Sequence, residues 1–261
     1  MFEDTLITLG GLDGVGKTSL IKQAMQRCEE NGTQCMYIHN FSKEYFMEAR
    51  EYSNVSGYFR QLILRYLSVP DHNYNINNSF IHPKQIKYSK SAITAISSSM
   101  CHYYNRLHEY LIKVSEENPD LTHIFFDRFV ECTIAFLSPF LNDNLIKTDK
   151  KYATICTEAY KSLYKISLNW GCHYHSYIFL PKKLTISHAD HFLRGLKFKP
   201  SQITPTVLRK TKTYLQAVAK AYQQMYDKQK AAGIVACDPH LIKLDSDQYP
   251  SPGIFNNLIS T

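Results

Sequence analysis

A three-layer α/β fold, with helices on both faces of a parallel β-sheet, is what the sequence predicts, and three observations predict it. Short apolar, β-branched runs alternate with longer segments of helical spacing along the chain. The first run, Thr5 to Leu9, leads into Gly-Leu-Asp-Gly-Val-Gly-Lys-Thr at Gly11 to Thr18, a complete G-x-x-x-x-G-K-[ST] phosphate loop. A later run, Ile124 to Phe126, stops on an acid, Asp127. Strands joined through helices imply right-handed crossovers and a sheet covered on both faces, an α/β fold of the P-loop NTPase kind.

The elements follow in order. Ser19 to Gln26 has apolar residues at helical spacing and no Gly or Pro; Asn31-Gly32 ends it, and Gln34 to His39 reads as a second strand. Phe41 to Glu44 then falls at the carboxyl end of that strand, where ligands bind in doubly wound sheets. Glu44 to Leu67 reads as helical, with an interruption near Ser53 to Gly57. Val69 to Pro83, with Pro, clustered Asn and two His, reads as an exposed loop or insertion. Ser89 to Ser115 is a long helix that reaches the third strand, His123 to Phe126, through Asn118-Pro119-Asp120. Cys132 to Phe140 and Tyr152 to Ser167 are helices, Tyr177 to Leu180 a fourth strand, and Lys183 to Leu193 a further helix. Thr206 to Gln229 is a long basic helix, Leu241 to Leu244 the last strand, and Pro252 to Ile259 a closing helix.

At 261 residues and 44% hydrophobic, with no linker-like stretch, the chain reads as one domain over residues 1–261. The formal net charge of +7 suits an anionic ligand, and because the basic residues are scattered, a nucleotide accounts for them without nucleic acid. Seven cysteines without a C-x-x-C pair argue against a disulfide framework and for a reducing cytoplasm. No apolar stretch approaches membrane-spanning length, so no membrane partner is expected.

The loop defines the expected chemistry. Backbone N–H groups of Gly11, Asp13, Gly14, Val15 and Gly16 close on a nucleotide's phosphates, followed by Lys17 on the β- and γ-phosphates, Thr18 on Mg²⁺, and Ser19. ATP or GTP is the expected ligand. Asp127, at the end of an apolar strand, is placed to hold Mg²⁺ or orient a phosphate acceptor. A motor ATPase would carry a second acid next; here Arg128 follows, and a cation beside the metal carboxylate suits a second anion. With no Asn-Lys-x-Asp guanine-reading motif present, a signalling GTPase is disfavoured and phosphoryl transfer to a small acceptor preferred.

Gly11-Leu12-Asp13-Gly14-Val15-Gly16-Lys17-Thr18-Ser19, then Asp127-Arg128-Phe129, then Leu244-Asp245-Ser246 before a short helix, resemble in kind and order the thymidylate kinase family of nucleoside monophosphate kinases. The resemblance spans nearly the whole chain. It implies ATP and Mg²⁺ as cofactors, a nucleoside monophosphate acceptor such as dTMP or a related pyrimidine nucleotide, and a homodimer. It puts Lys17 and Thr18 on phosphates and metal, Asp13 near the acceptor's sugar hydroxyl, and Asp127 and Arg128 against the transferred phosphoryl group and acceptor phosphate. Gly14 matches members without an arginine in the loop, which supply one from a lid; here the lid region is 182–203 and the candidate is Arg194, with Lys197 and Lys199 following.

The acceptor side departs from the family pattern. Lys43 stands where a bidentate arginine is usual, the stretch Ser97 to Tyr104 has no arginine, and Pro181 replaces the usual Asp after the fourth strand. Phe41 and the pair Tyr103-Tyr104 are candidates for packing on the acceptor base, with core burial the alternative. Three functions therefore stand: a nucleoside monophosphate kinase, a deoxyribonucleoside kinase, or a nucleotide-binding regulatory or structural protein without catalysis.

Two further constellations are set aside. Cys172-His173-Tyr174-His175, with His188 and His191, has zinc-ligand residue types, but the first four run into a strand where alternate residues point to opposite faces. The basic helix Lys210 to Lys230 carries Tyr214, Leu215, Val218, Tyr222 and Met225 as an apolar stripe, which argues for packing on the sheet over nucleic-acid binding.

Overall fold

The structure, a computed structural model, describes residues 5–39, 49–67, 86–141, 174–232, 237–245, 250 and 252–255. Its strands are β1 (Thr5–Gly11), β2 (Gln34–His39), β3 (Leu121–Asp127), β4 (Tyr174–Pro181) and β5 (Cys237–Leu244). Its helices are α1 (Lys17–Glu30), α2 (Ala49–Tyr66), α3 (Ile86–Glu117), α4 (Val130–Leu141), α5 (Ile186–Gly195) and α6 (Pro205–Ala232), with short 3₁₀ turns at Pro200–Gln202 and Pro252–Phe255. Among the described residues the strands form one parallel sheet in the order β2-β3-β1-β4-β5.

The chain builds to one side of β1 through β2 and β3, then crosses to the other through β4 and β5. The order thus reverses at β1, and a doubly wound sheet opens its ligand crevice beyond the carboxyl ends of the strands at such a point. Both the phosphate loop after β1 and Asp127 at the end of β3 lie there, because Leu9 of β1 pairs with Asp127. β1, β3 and β4 are buried along nearly their whole length, as strands covered on both faces must be.

Alternation sorts the two faces. A Cβ on Gly10 would meet the Tyr222 ring of α6 at 3.3 Å and Cys132 Sγ of α4 at 3.8 Å, so α4 and α6 cover that face. On the other, Phe125 and Tyr177 pack against Phe255 of the last 3₁₀ turn, beside which α1 lies. The apolar stripe of α6 is buried against its neighbours at all five positions, Tyr214, Leu215, Val218, Tyr222 and Met225. α3 buries Ile93, Ile96, Met100, Tyr103, Tyr104, Leu107 and Leu111, a helical repeat of three and four.

Some boundaries and one break differ from the sequence expectation. α2 runs unbroken through Ser53 to Gly57. Gly in a helix interior costs about 1 kcal/mol, and burial of Val55, Leu62, Ile63 and Leu64 on the same helix outweighs it. The helix expected from Lys183 starts at Ile186, because Thr185 caps it in a reciprocal pair with His188. Of the closing helix only the 3₁₀ turn Pro252–Phe255 is described; the helix at 152–167 and the insertion at 69–83 lie outside the described residues. Among the described residues no helix is long and apolar enough to cross a membrane.

Candidate functional site

The phosphate loop is shaped by glycine. Gly11, Gly14 and Gly16 take φ of 116°, 81° and 85°, the left-handed side that L side chains avoid. Gly16 is the N-cap of α1 with no side-chain cap, so the first N–H groups of a 14-residue helix open onto the loop as an anion cradle.

Lys17 is 5% exposed and folds back over the loop, donating from Nζ to the carbonyls of Leu12 at 2.7 Å and Gly11 at 3.4 Å. Burial, and after it the positive charge of Arg128, pushes its pKa down. Thr18 Oγ1 donates to Asp127 Oδ2 at 2.7 Å, joining the first turn of α1 to the end of β3. The Tyr37 hydroxyl, from β2, lies 3.4 Å from the same oxygen, and burial with the Asp127 charge pushes Tyr37 up to about 12. Asp127 itself is 1% exposed, and its Oδ1 has no hydrogen-bond partner among the described residues. A buried carboxylate oxygen without a donor is costly unless a cation or water meets it. With the Thr18 hydroxyl beside it, the donor set is all oxygen, the kind Mg²⁺ prefers.

Arg128 takes φ of 70°, a conformation that costs a non-glycine residue roughly 1–2 kcal/mol. Its N–H donates to the Leu9 carbonyl at 3.0 Å, and its guanidinium pairs with Asp13 of the loop. The strained backbone thus turns the arginine onto the phosphate loop.

Gly11, Asp13, Gly14, Val15, Gly16, Lys17 and Thr18, with Ser19 next along α1, lie in or beside the loop together with Asp127 and Arg128, whereas Tyr103 and Tyr104 do not. Arg194 sits on α5, exposed, with Nε donating to Asp190 Oδ2 at 2.6 Å one turn back. The region 182–203 is mostly this ordered helix and a 3₁₀ turn, and the α5 side chain that meets the loop is His191: a Cβ on Gly14 would lie 3.2 Å from its ring. Tyr103 and Tyr104 are in the core, edge-to-face with each other, and Tyr104 also packs on Phe129, so the face of α3 they occupy turns inward and offers no ring to a base. Phe41 and Lys43 lie outside the described residues. Of the zinc-type grouping, His188 bonds the Thr185 hydroxyl at 2.7 Å and His191 lies at the loop; Cys172 and His173 are outside the described residues.

Beneath the loop the structure adds groups to which the sequence assigns no site role. The Tyr222 hydroxyl donates to the Gly11 carbonyl at 3.4 Å, and Cys132 lies beside Gly10. Glu131 is 3% exposed and accepts from the Tyr174 hydroxyl at 3.1 Å. Its only sequence signal is a charge among the apolar residues of Val130–Leu141. Desolvation pushes its carboxyl from 4.5 up to about 7, against hydrogen bonds that favour the ionised form.

The sign of that shift gives a stability prediction. A folded-state pKa above the unfolded one means the native protein holds the proton longer. The stabilisation is complete below pH 4.5 and is lost as pH rises to about 7. At 1.36 kcal/mol per unit the loss is on the order of 3 kcal/mol. Glu131→Gln keeps an acceptor for Tyr174 and cannot ionise, so urea unfolding should find it more stable than the wild type at pH 8 and equal to it at pH 4. Parallel pH profiles would remove Glu131 from this role.

The chain matches no protein-family model and no curated protein.

Proposed function

We propose that the protein transfers the γ-phosphoryl group of ATP to the phosphate of a nucleoside monophosphate, most readily dTMP or a related pyrimidine nucleotide. The observation that carries the reading is the Thr18–Asp127 hydrogen bond at 2.7 Å, which sets a metal-type oxygen pair beside a glycine cradle roofed by Lys17. Thr18 and Asp127 would hold Mg²⁺, which would supply positive charge to offset that of the donor phosphates. The loop N–H groups and Lys17 bind and orient the donor phosphates. Arg128, next to Asp127 and at the same end of the sheet, receives the acceptor phosphate as a planar fork. Positioning and charge stabilisation suffice for this chemistry, and no covalent enzyme intermediate is required. Among the described residues Cys28, Cys35, Cys101 and Cys132 are free thiols.

A second reading, a nucleotide-binding protein without transfer, draws on the outward-facing Arg194 and the buried Tyr103-Tyr104 pair. One experiment separates them: ADP release from Mg²⁺-ATP against a panel of nucleoside monophosphates and nucleosides, beginning with dTMP, and with Asp127→Asn as control. Release that needs one monophosphate and is lost in Asp127→Asn is the expected result. Release with a nucleoside alone would make the protein a nucleoside kinase, and ATP binding without acceptor-dependent release would leave only the second reading.

A further inference from the structure

β4 and β5 form one edge of the sheet, and their register places His175 opposite Asp238 and Tyr177 opposite His240. Residues two apart on a strand share a face, so all four side chains project from the side that carries Phe255. Asp238 Oδ2 lies 3.2 Å from His175 Nδ1 and 3.0 Å from His240 Nε2, and one ligand-type atom from each of the three residues lies within 4.8 Å of the others. Atoms bound to one ion at roughly 2.0–2.1 Å stand about 2.8–3.4 Å apart in octahedral or tetrahedral geometry. Small side-chain rotations therefore bring the three onto a common centre.

The surroundings hold that arrangement. The His240 ring stacks on Tyr177 with centroids 4.4 Å apart and planes 12° from parallel, which fixes its orientation. The His175 and His240 rings are 6.0 Å apart and 25° from parallel. Exposure rises from 15% for the His175 side chain through 37% for His240 to 48% for Asp238, from a sheltered wall outward. The three residues line a cleft of about 570 Å³ with Tyr177, Tyr226 and Ile254. In β1 register His175 pairs with Ile7, four residues before Gly11, so the cluster lies roughly 13 Å along the strands from the start of the phosphate loop.

We propose that His175, Asp238 and His240 bind a divalent transition-metal ion, Zn²⁺ by ligand type, with at least one coordination position open to the cleft. Two imidazoles and a carboxylate are the donors that borderline ions choose, and three protein ligands leave a position for water or a further anion. The ion would pin the edge strand β5 to β4. The site shares no residue with the Thr18–Asp127 pair, so it stands whether or not the protein is a kinase.

The test is titration of the full chain, stripped with a chelator and free of nucleotide, with Zn²⁺ by calorimetry and with Co²⁺ by its ligand-field absorption. One equivalent of saturable binding is expected in the wild type, in Lys17→Ala and in His102→Ala, an exposed histidine of α3. His240→Ala and Asp238→Asn should each lose more than the roughly 10–100-fold in affinity that removal of an outer-shell partner costs, with the Co²⁺ bands lost and circular dichroism unchanged. Asp238→Asn keeps side-chain volume and an acceptor, so it decides the matter should His240→Ala fail to fold. Absence of saturable binding would overturn the proposal and leave a hydrogen-bonded His-Asp-His group. Binding that survives in the folded variants would place the metal elsewhere and overturn it equally.

Discussion

Lys17→Ala should lower acceptor-dependent ADP release by at least roughly 10²–10³-fold, the range seen when one preorganised donor to a developing charge is removed. The Lys17 ammonium is 5% exposed and already sits over the loop, 2.7 Å from the Leu12 carbonyl, so a phosphate entering the cradle meets a charge that needs little reorganisation. Alanine removes that charge entirely. The fold should tolerate the change: the carbonyls of Leu12 and Gly11 lose a donor, about 1 kcal/mol, while a charge whose burial is unfavourable also disappears. Single-turnover transfer and a thermal melt on the same preparation check both halves. Wild-type transfer in the variant would sink the assignment of the loop, and a collapsed melt would show the lysine to be structural.

Gly11→Ala should do the reverse and damage the fold itself. A Cβ at Gly11 would lie 2.0 Å from the Phe179 carbonyl oxygen and within 2.9 Å of two further backbone atoms of that residue. The obstacle is backbone of the paired strand β4, which cannot swing aside as a side chain can. Overpacking costs about 1–3 kcal/mol, and an L side chain on the left-handed side of φ adds roughly 1–2 kcal/mol. Against a net stability of about 5–15 kcal/mol, the melting temperature should fall by roughly 5–15 °C. Gly195→Ala, where a Cβ would meet nothing within 4 Å, is the matched control and should leave the melt nearly unchanged. A Gly11→Ala protein that melts with the wild type would mean that β1 and β4 are not so closely apposed.

The parts of the site that were legible in the sequence are those written in contiguous residues. The shift from strand to helical spacing on either side of Gly11 to Thr18 located β1, α1 and the cradle between them. The acid ending an apolar run located Asp127, and the apolar stripe of α6 placed that helix on the sheet. Features that depend on register or packing between distant segments were not legible. Nothing near His191 in the sequence points to Gly14, because the contact arises from where α5 lies over the loop. In the sequence His175 stands beside Cys172, His173 and Tyr174, whereas its partners Asp238 and His240 come from the pairing of β4 with β5. Tyr103 and Tyr104 are candidates for packing on a base, with core burial the alternative, because aromatic content is visible in a sequence while the inward face of a long helix is decided by what packs against it.

The pairing of Arg128 with Asp13 makes the arginine an occupied site before any ligand arrives. An incoming group must outbid a carboxylate that is tethered and always present, which a neutral sugar cannot do and a phosphate dianion can. On the proposed function, selection by charge would be an exchange: an anion that captured Arg128 would release Asp13, and the freed carboxylate would accept from a hydroxyl on the same ligand. A molecule carrying both groups would engage both halves of the opened pair, and one carrying either alone would engage half.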